Sequence, residues 1–502
     1  MAILKVWVMC AVLGMTWGCS KISLSGSVPV VTPLDKGQIA WRDWSSRDSA
    51  LVLNKPTMLF LYSPRSLWCR DQVAQAFGHA QSAQMVNQFF LPIWANVDVR
   101  PDLFERYGLG GVPSVVFLTP DGRWLTGSTY MDFEDFQDLM RRIFILFENA
   151  ERMETLESNR SELLRYTAMQ NRRAGPAPLL NPALVGRVID SMQVAVARGE
   201  DIGPEGLLAL VLTETAHVTG VDGLKQILAR RRDRDGTFFL CELTPDGVVV
   251  DREKHLAVNA RWLMAFAQAV QPDGAFRDVV EDLGVALVEQ FGVPNDSLLC
   301  AGRAGFKDAS GYMPYDLTII SGWNGLAVSG LVAASHVTRE RKFWEAGRRI
   351  MNGLVSRFRR SDGLFGRVDV NSSLVFLEDQ VLIARAALDM FDAGKQDKDL
   401  KLAQEIVDGM LRVFANDSGA LRDRNPDPGA PVISVTDRWT PSGNGVAAQV
   451  LVRLATHTGQ TKYQRAAQKL LRATMTSAIP RVAYAGAWQQ GLVMYLATES
   501  KK

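Results

Sequence analysis

The sequence has few cysteines, few histidines and no block of like charge, and each scarcity excludes a class of protein. Only 5 of the 502 residues are cysteine and 5 are histidine, so neither a disulfide framework nor a metal-binding constellation is indicated. The 56 basic and 54 acidic residues leave a net charge of +2, and this balance disfavours nucleic acid or an anionic membrane surface as partner. We therefore predict no metal, no cofactor and no nucleic-acid partner.

The few cysteines divide between two parts of the chain. Cys10 and Cys19 lie near the N-terminus, and Cys69, Cys241 and Cys300 lie in the body at unrelated spacings. Hydrophobic residues make up 47% of the chain and charged residues 22%, which is the composition of an ordinary globular protein. The length suits two to three domains.

Long hydrophobic runs are also missing, apart from one at the N-terminus. Lys5 precedes an apolar run over Val6–Trp17, which is too short to span a bilayer and is typical of a signal-peptide core. Gly18 before Cys19 resembles a bacterial lipoprotein cleavage site, at which Cys19 would carry the lipid. Residues 1–19 are therefore predicted to be a lipoprotein-type signal peptide, with plain secretion or an uncleaved anchor as alternatives. The protein is expected on the periplasmic face of the cell envelope.

The next part of the chain predicts a tether followed by an α/β domain. Residues 20–40 are rich in serine, valine, proline and glycine and are predicted to be a tether. In residues 41–151 short apolar runs alternate with helical patterns, which indicates an α/β layer. The predicted strands are 56–62, 91–99, 112–118 and 123–130, and the predicted helices are 66–90, 101–107 and 132–151.

One helix start and one proline in this region indicate a thioredoxin-like domain. The helix after the first strand begins with Ser66–Leu67–Trp68–Cys69, and Pro113 precedes the third strand, where this fold places a cis-proline. A dithiol oxidoreductase needs two cysteines at this helix start, because the helix end activates the first thiol and the second resolves the mixed disulfide. Ser66 stands in the first position. We therefore predict a redox-degenerate domain with Cys69 packed in the core, and a monothiol redox role for Cys69 as the alternative.

The remainder of the chain is predicted to be helical. Residues 152–203 are predicted to be a helical connector, and residues 204–500 a domain of repeated helical hairpins. The predicted helices are 204–230, 254–271, 275–291, 321–337, 340–360, 377–393, 397–416, 440–458, 461–477 and 484–498. Polar openings near 321, 378 and 441 each start an apolar helix that an amphipathic helix follows. Inner and outer helices in alternation predict an all-α (α/α)6 toroid.

The polar openings of the inner helices predict a ligand pocket. Helix N-termini converge around a shared cavity in a toroid, and their exposed N–H groups favour polar ligands. Carboxylates and aromatic rings around such a cavity suit carbohydrate chemistry. Alternatively, the carboxylates satisfy neighbouring helix N-termini and the tryptophan belongs to the core. Ser321, Thr440 and Pro441 are predicted to start their helices. The candidate pocket residues are Trp323, Asn324, Glu378, Asp379, Ser442 and Asn444.

Glycines and one histidine belong to the same prediction. Gly325, Gly443 and Gly445 lie within or beside first turns, where glycine costs helix stability. Tolerating that cost indicates close packing or a ligand that approaches the backbone. His255 lies early in the 254–271 helix, where a side chain can face the cavity.

Together these motifs resemble the family typified by spermatogenesis-associated protein 20, in which a thioredoxin-like domain precedes a six-hairpin toroid. The matching motifs are Leu67–Trp68–Cys69, Val99–Arg100–Pro101–Asp102, Val116–Phe117–Leu118–Thr119–Pro120–Asp121–Gly122, Trp323–Asn324–Gly325–Leu326 and Pro441–Ser442–Gly443–Asn444. Where the family has C-H-W-C, this chain has Ser66 and Leu67 in the first two positions. From the family's H-F-E-K-M-L-Y-D-N-A stretch, Glu253, Lys254 and Asn259 are retained. The family's toroid is similar to N-acylglucosamine 2-epimerases and some glycosidases.

The resemblance leaves three functional hypotheses open. The first is a binding or scaffold protein of the cell envelope, with a carbohydrate-like ligand in the toroid and an envelope protein as a candidate partner. The second is an epimerase-like or hydrolase-like enzyme that acts on a carbohydrate with Glu253, Glu378 and Asp379. The third is a monothiol protein that uses Cys69. The residues expected to contact a ligand are Lys254, Asn259, Trp323, Asn324, Ser442 and Asn444.

Overall fold

The computed structural model describes residues 30–149, 180–240, 252–270, 274–309, 311–426 and 432–500. The predicted signal peptide with Cys19, the first part of the tether, most of the connector and Cys241 lie outside the described residues. Among the described residues, no single helix is long and apolar enough to cross a membrane, although the bent pair Gly203–Val211 and Glu214–Arg231 passes a test of length and composition.

The first domain is built on a four-stranded sheet in the order β2-β1-β3-β4. The strands are β1 (Thr57–Tyr62), β2 (Leu91–Asn96), β3 (Ser114–Leu118) and β4 (Trp124–Ser128). β1 pairs in parallel with β2 and antiparallel with β3. Because successive side chains point to opposite faces, Met58 and Phe60 enter one core while Leu59 and Leu61 enter another. Burial on both faces explains why the sequence of β1 is continuously apolar.

Helices cover both faces of this sheet, as a thioredoxin-like domain requires. They are α1 (Ser49–Leu53), α2 (Leu67–Gln72), α3 (Ala80–Phe89), α4 (Pro101–Tyr107) and α5 (Phe133–Glu148). The single helix predicted over 66–90 is wrong, because a π-helical turn over Val73–Phe77 follows α2 and the helix ends at Gly78. The peptide bond before Pro113 is cis, as the sequence predicted.

The described part of the predicted tether is packed against both domains. Leu34 and Ile39 are buried in the core of the first domain. The backbone N–H of Val31 donates to the carbonyl of Tyr315 in the second domain at 2.8 Å. These apolar and backbone contacts make residues 30–40 part of the folded structure rather than a free tether.

The second domain is a closed ring of six helical hairpins. The inner helices are α7 (Gly203–Val211), α9 (Leu256–Ala269), α11 (Ser321–Thr338), α13 (Leu377–Gly394), α15 (Gly443–Thr458) and α17 (Gly486–Glu499). The outer helices are α6 (Pro182–Ala197), α8 (His217–Arg231), α10 (Arg277–Phe291), α12 (Arg341–Phe358), α14 (Asp397–Phe414) and α16 (Thr461–Ala478). Each inner helix packs on the next, and α17 packs on α7 to close the ring. This is the predicted (α/α)6 toroid.

Two predicted boundaries in the toroid change. α6 packs against α7 and α17, so the helical domain includes residues from Pro182 rather than from 204. The predicted helix 204–230 is two helices, because the chain leaves the inner ring after Val211 and returns outside it as α8. The first hairpin of the toroid therefore begins one helix earlier than predicted, at α6.

Short strands gather where the inner helices begin. β5 (Lys254–His255), β6 (Gly302–Arg303) and β7 (Tyr315–Asp316) form one small sheet, and β8 (Val375–Phe376) pairs with β9 (Arg424–Asn425). β5 leads directly into α9 and β8 into α13. An ion pair between Arg65 and Asp316 and ring stacking between Phe104 and Trp439 join this end of the ring to the first domain.

Candidate ligand site between the two domains

Buried amide side chains close the hairpins of the ring. Each pairs with both the N–H and the C=O of one residue in the loop that precedes its helix. The pairs are Asn259 with Phe238, Asn324 with Leu299, Gln380 with Phe365, and Asn444 with Leu421, at 2.7–3.1 Å. All four amides are fully buried. Because buried backbone groups need hydrogen-bond partners, these bonds give the three predicted asparagines a structural role, and a contact with a ligand stays a prediction.

Ser442 also has a structural role. Its Oγ accepts a hydrogen bond from the N–H of Gly445 at 2.9 Å, so Ser442 is the N-cap of α15, and the predicted start at Thr440 and Pro441 is wrong. A Cβ atom on Gly445 would lie 2.6 Å from the backbone nitrogen of Trp488. Close packing between α15 and α17 therefore explains this glycine.

Asp379 satisfies the N-terminus of a neighbouring helix. Its Oδ1 accepts a hydrogen bond from the N–H of Gly322 at 3.0 Å, in the first turn of α11. The N-cap of α11 is Ile320 and its side chain makes no capping bond, so the predicted N-cap at Ser321 is wrong. Asp379 therefore caps a helix N-terminus, which is one of the two roles predicted for it.

Arg65 of the first domain enters the ring at the predicted pocket. Its Nη2 lies 2.8 Å from Asp98 Oδ2, its Nη1 2.5 Å from Asp316 Oδ2, and its Nε 3.6 Å from Glu253 Oε2. The arginine side chain is fully buried. Asp98 follows β2 of the first domain, whereas Glu253 and Asp316 belong to the toroid, so one guanidinium joins the two domains.

Arg65 packs against aromatic rings at the predicted pocket. The rings of His255 and Trp323 stack with centroids 5.7 Å apart, and the Arg65 guanidinium lies 5.7 Å from the Trp323 ring. His255 Nε2 is 2.8 Å from Glu253 Oε2. Trp323 and Glu253 both lie beside His255, and the Arg65 side chain packs next to them.

Arg367 holds the other two candidate carboxylates. Its Nη1 lies 3.2 Å from Glu378 Oε1 and 3.0 Å from Asp379 Oδ1. Its Nε donates to the backbone carbonyl of Asp98. Asp98 therefore links Arg65 to Arg367, and the three predicted catalytic carboxylates belong to one network of arginines and acids.

Lys254 lies outside this network. Its Nζ is 2.5 Å from Asp233 Oδ2 and 2.6 Å from Asp235 Oδ2, and the side chain is 1% exposed. Both aspartates belong to the turn before β5, which is the same loop that Asn259 holds. Lys254 thus stabilises a turn of the ring through partners that no sequence pattern identified.

The protonation of Asp379 predicts a measurable pH effect. Burial raises the pKa of Asp379 to about 6 from 3.8, although Arg367 opposes the rise. Between these pH values the folded state binds the proton more tightly, so this group lowers the free energy of unfolding as the pH rises. Asp379→Asn keeps an oxygen for Gly322 and Arg367 and should lack this contribution.

Denaturant unfolding of wild type and Asp379→Asn across this pH range tests the prediction. The variant should gain stability relative to wild type as the pH rises from about 4 to about 6. A difference between the two proteins that stays constant with pH would contradict the raised pKa.

Ser66 and Cys69 of the thioredoxin-like motif make structural contacts. Ser66 is the N-cap of α2, and its Oγ lies 3.4 Å from the backbone nitrogen of Cys69. Cys69 is fully buried in the core, whereas Leu67 and Trp68 are 46% and 41% exposed. Because accessible thiolates are the reactive ones, this burial disfavours the monothiol hypothesis, which stays a prediction.

An open cavity of about 810 Å³ lies beside the arginine network, between the domains. Phe104 of α4 stacks on Trp439 of the toroid with ring centroids 4.9 Å apart, and both rings line the cavity. Further lining comes from Trp262, Tyr484, Arg231, Arg261, Arg438, Arg481, Glu105, Asp201 and Asp437. None of these residues was predicted from the sequence, because they lie in loops, on α4, at the end of α8 and in the middle of α9 rather than in the polar openings of the inner helices.

Two acids of this cavity have raised pKa values. Burial and the neighbouring charge of Glu205 raise the pKa of Asp437 to about 7, although its oxygens accept hydrogen bonds from the N–H groups of Ser442 and Ala487 at 2.8 and 3.0 Å. Burial also raises the pKa of Glu105, which Arg438 approaches to 3.3 Å. The cavity therefore has more arginine charge than ionised acid near neutral pH.

The fold and site define a thioredoxin-like domain joined by buried ion pairs to an (α/α)6 toroid. Residues 26–168 match the family model described as "Thioredox_DsbH: Protein of unknown function, DUF255". The N-terminal domain is therefore similar to this thioredoxin-like family, and the resemblance drawn from its motifs is confirmed.

Curated relatives match over a limited part of the chain. Spermatogenesis-associated protein 20 of Rattus norvegicus is 27% identical over 149 residues, which is 25% of this chain and 19% of that protein. An uncharacterised protein of Caenorhabditis elegans is 30% identical over 112 residues, which is 20% of this chain and 15% of that protein. The matches thus span less than a fifth of each relative.

Solved structures with a similar arrangement were also found. A D-mannose isomerase matches with a TM-score of 0.44 and 14% identity, over 57% of this chain and 74% of that chain. The cellobiose 2-epimerase from Bacillus thermoamylovorans matches with a TM-score of 0.44 and 13% identity, over 53% of this chain and 73% of that chain. The closed helical ring itself remains the basis on which the toroid is assigned.

Proposed function

We propose that the protein is a cell-envelope binding protein that holds a carbohydrate-like ligand in the cavity between its two domains. The observation that carries the proposal is the lining of that cavity, in which aromatic rings come from both domains and guanidinium groups come from the toroid. Binding sites combine apolar and aromatic walls with a few polar groups that fix orientation. A sugar ring, with apolar faces and polar edges, suits such a lining.

The charge of the cavity favours a sugar that bears an acidic group. Four arginines and three acids line it, and one of those acids is Asp437, whose pKa is raised to about 7. Arginine binds carboxylate through two parallel hydrogen bonds. Arg481 is exposed at the rim, where it can meet such a group without loss of an internal contact.

The thioredoxin-like domain acts in this proposal as a fixed wall of the site. Arg65 and the Phe104–Trp439 stack hold it against the toroid, and Ser66 replaces the cysteine that redox exchange would need. The predicted signal peptide at residues 1–19 supports the envelope location, and an envelope protein partner remains part of the proposal.

The enzyme hypothesis has one observation in its favour. The Glu378 side chain is 18% exposed and lines a small cavity of about 60 Å³ with Thr440, whose Oγ1 donates to it at 3.1 Å. Acid–base chemistry on a sugar needs a second carboxyl group that reaches the substrate. The two predicted partners, Glu253 and Asp379, are both buried and held by arginines, so the predicted catalytic carboxylates do not supply this pair, and we favour binding.

A thermal-shift screen of the full chain against neutral and acidic sugars tests the proposal. A ligand in hundredfold excess over its Kd should raise the Tm by roughly 3 °C, because it stabilises only the folded state. Tyr484→Ala and Arg481→Gln remove exposed groups at the cavity. Each should raise the ligand concentration needed for the same Tm shift about tenfold or more.

Val218→Ala is the matched control, because Val218 is 72% exposed and does not line the cavity. It should bind as wild type does. A shift that survives both cavity substitutions, or the absence of a shift with every sugar, would contradict the proposed site.

A further inference from the structure

A second cavity lies at the other end of the toroid. Its volume is about 910 Å³, and it opens among the C-terminal parts of the inner helices, at Val337, Ala393 and Met494. The first domain covers the opposite end, so this cavity is separate from the proposed sugar site. The proposed sugar site does not include this second cavity.

A buried ion pair separates the two cavities inside the ring. Arg261 and Pro204 line both of them, and Arg261 Nε lies 2.8 and 3.0 Å from the two carboxylate oxygens of Glu205. Arg261 Nη1 also donates to the carbonyl of Arg438 at 2.5 Å. The Arg261–Glu205 ion pair therefore lies between the proposed sugar site and the second cavity.

Three buried polar atoms of the second cavity have no hydrogen-bond partner among the described residues. They are Arg385 Nε, Ser329 Oγ and Gln489 Oε1. The three residues line the cavity and are 5%, 2% and 1% exposed, respectively. Native proteins leave few buried polar groups unpaired, because each one costs desolvation energy, so three such atoms on residues that line one cavity favour a ligand there.

Arg385 has the largest unmet requirement of the three. Its Nη2 contacts Met264 Sδ at 3.7 Å. The acids that face it are Asp389 on its own helix and Glu205 on α7, and burial lowers its pKa despite them. Each acid already has another arginine: Arg453 lies 2.7 Å from Asp389, and Arg261 binds Glu205.

We infer that this cavity is a second binding site, for a small organic carboxylate with an apolar body. Arg385 Nε and the Ser329 hydroxyl supply two donors to the carboxylate, and Gln489 Oε1 can accept from a hydroxyl or ammonium group on the same ligand. Val332 and Met494 provide apolar wall. Arg385 is a buried guanidinium without a carboxylate of its own, and it matches one negative charge, whereas Arg277 and Arg339, which also line the cavity, are exposed.

Isothermal titration of the full chain with octanoate tests the inference, with octanol and inorganic phosphate as comparison probes. Octanoate should bind saturably, and Arg385→Met should weaken it at least tenfold. Without ligand, Arg385→Met should unfold at the wild-type temperature or above, because it removes a buried charge that lacks a carboxylate of its own. Ser329→Ala, a smaller change, should weaken octanoate about threefold to tenfold.

The controls separate this site from the sugar site. Tyr484→Ala should bind octanoate as wild type does, so failure of one site leaves the other intact. Equal binding by wild type and Arg385→Met, equal binding of octanol, tighter binding of phosphate, or no saturable binding of octanoate would each overturn the inference. If Arg385→Met does not fold, Arg385 has a structural role and the Ser329→Ala titration decides.

Discussion

Replacing Arg65 with methionine is expected to lower the free energy of unfolding by about 3–5 kcal/mol. The change leaves Asp98 and Asp316, within 2.5–2.8 Å of its guanidinium, without their buried cation. Glu253 loses a partner as well. Chemical denaturation followed by tryptophan fluorescence measures the loss, and limited proteolysis should show cuts between the two domains that wild type resists.

Arg142→Met is the matched control for this substitution. Arg142 is also paired with an acid, Asp138, at 3.3 Å, but its side chain is 78% exposed, so the expected loss is below about 1 kcal/mol. Arg65→Lys keeps the charge but loses the fork of donors, and should fall between the two. If Arg65→Met were as stable as Arg142→Met, the buried network would not be what joins the domains.

Replacing Arg367 with methionine is expected to cost about 3 kcal/mol or more, since it leaves Asp379 fully buried without a cation. Glu378 would lose its ion pair, and the carbonyl of Asp98 would lose a donor. The same denaturation experiment measures the cost. It should shrink at low pH, where the carboxyl groups take up protons.

A double substitution shows whether the carboxylate causes the loss. Adding Asp379→Asn to Arg367→Met removes the unpaired charge and should restore more than half of the stability, with a coupling energy of roughly 1–3 kcal/mol. Simple additivity of the two substitutions would mean that Arg367 stabilises the protein through its apolar stem or through Asp98 instead.

The helical architecture was predictable because local pattern determines it. The inner helix α11 was expected over 321–337 and spans Ser321–Thr338, and the outer helix α14 was expected over 397–416 and spans Asp397–Phe414. Apolar periodicity and glycine or polar openings mark such elements directly. The exception was 204–230, where two adjacent helices have no strong break residue between them.

The role of the predicted site residues was less predictable, because it depends on partners far away in the chain. Arg65 and Asp316 are separated by 251 positions, and no local pattern links them. The fourth residue of α9 and of α11 is an asparagine, Asn259 or Asn324, and this regularity fits either a repeated structural role or a repeated pocket. Only the hydrogen bonds that each asparagine makes to the facing loop distinguish the two roles.

The motif around Ser66 shows how a redox site can serve structure. Loss of the first thiol leaves a hydroxyl group that caps α2, and Cys69 remains as a buried apolar side chain. The residue before the motif, Arg65, then supplies the cation for the toroid. In this account the first domain is retained for its contacts rather than for thiol chemistry.

Hydrogen exchange of the full chain, with and without each acidic sugar at saturating concentration, tests the central claim most directly. The account predicts slower exchange on both sides of the interdomain cavity, in α4 around Glu105 and in the toroid segments 432–439 and 479–484. Protection in both domains by one ligand would show that the thioredoxin-like domain is a wall of the binding site. No protection with any sugar, or protection confined to the opposite end of the ring, would contradict the account.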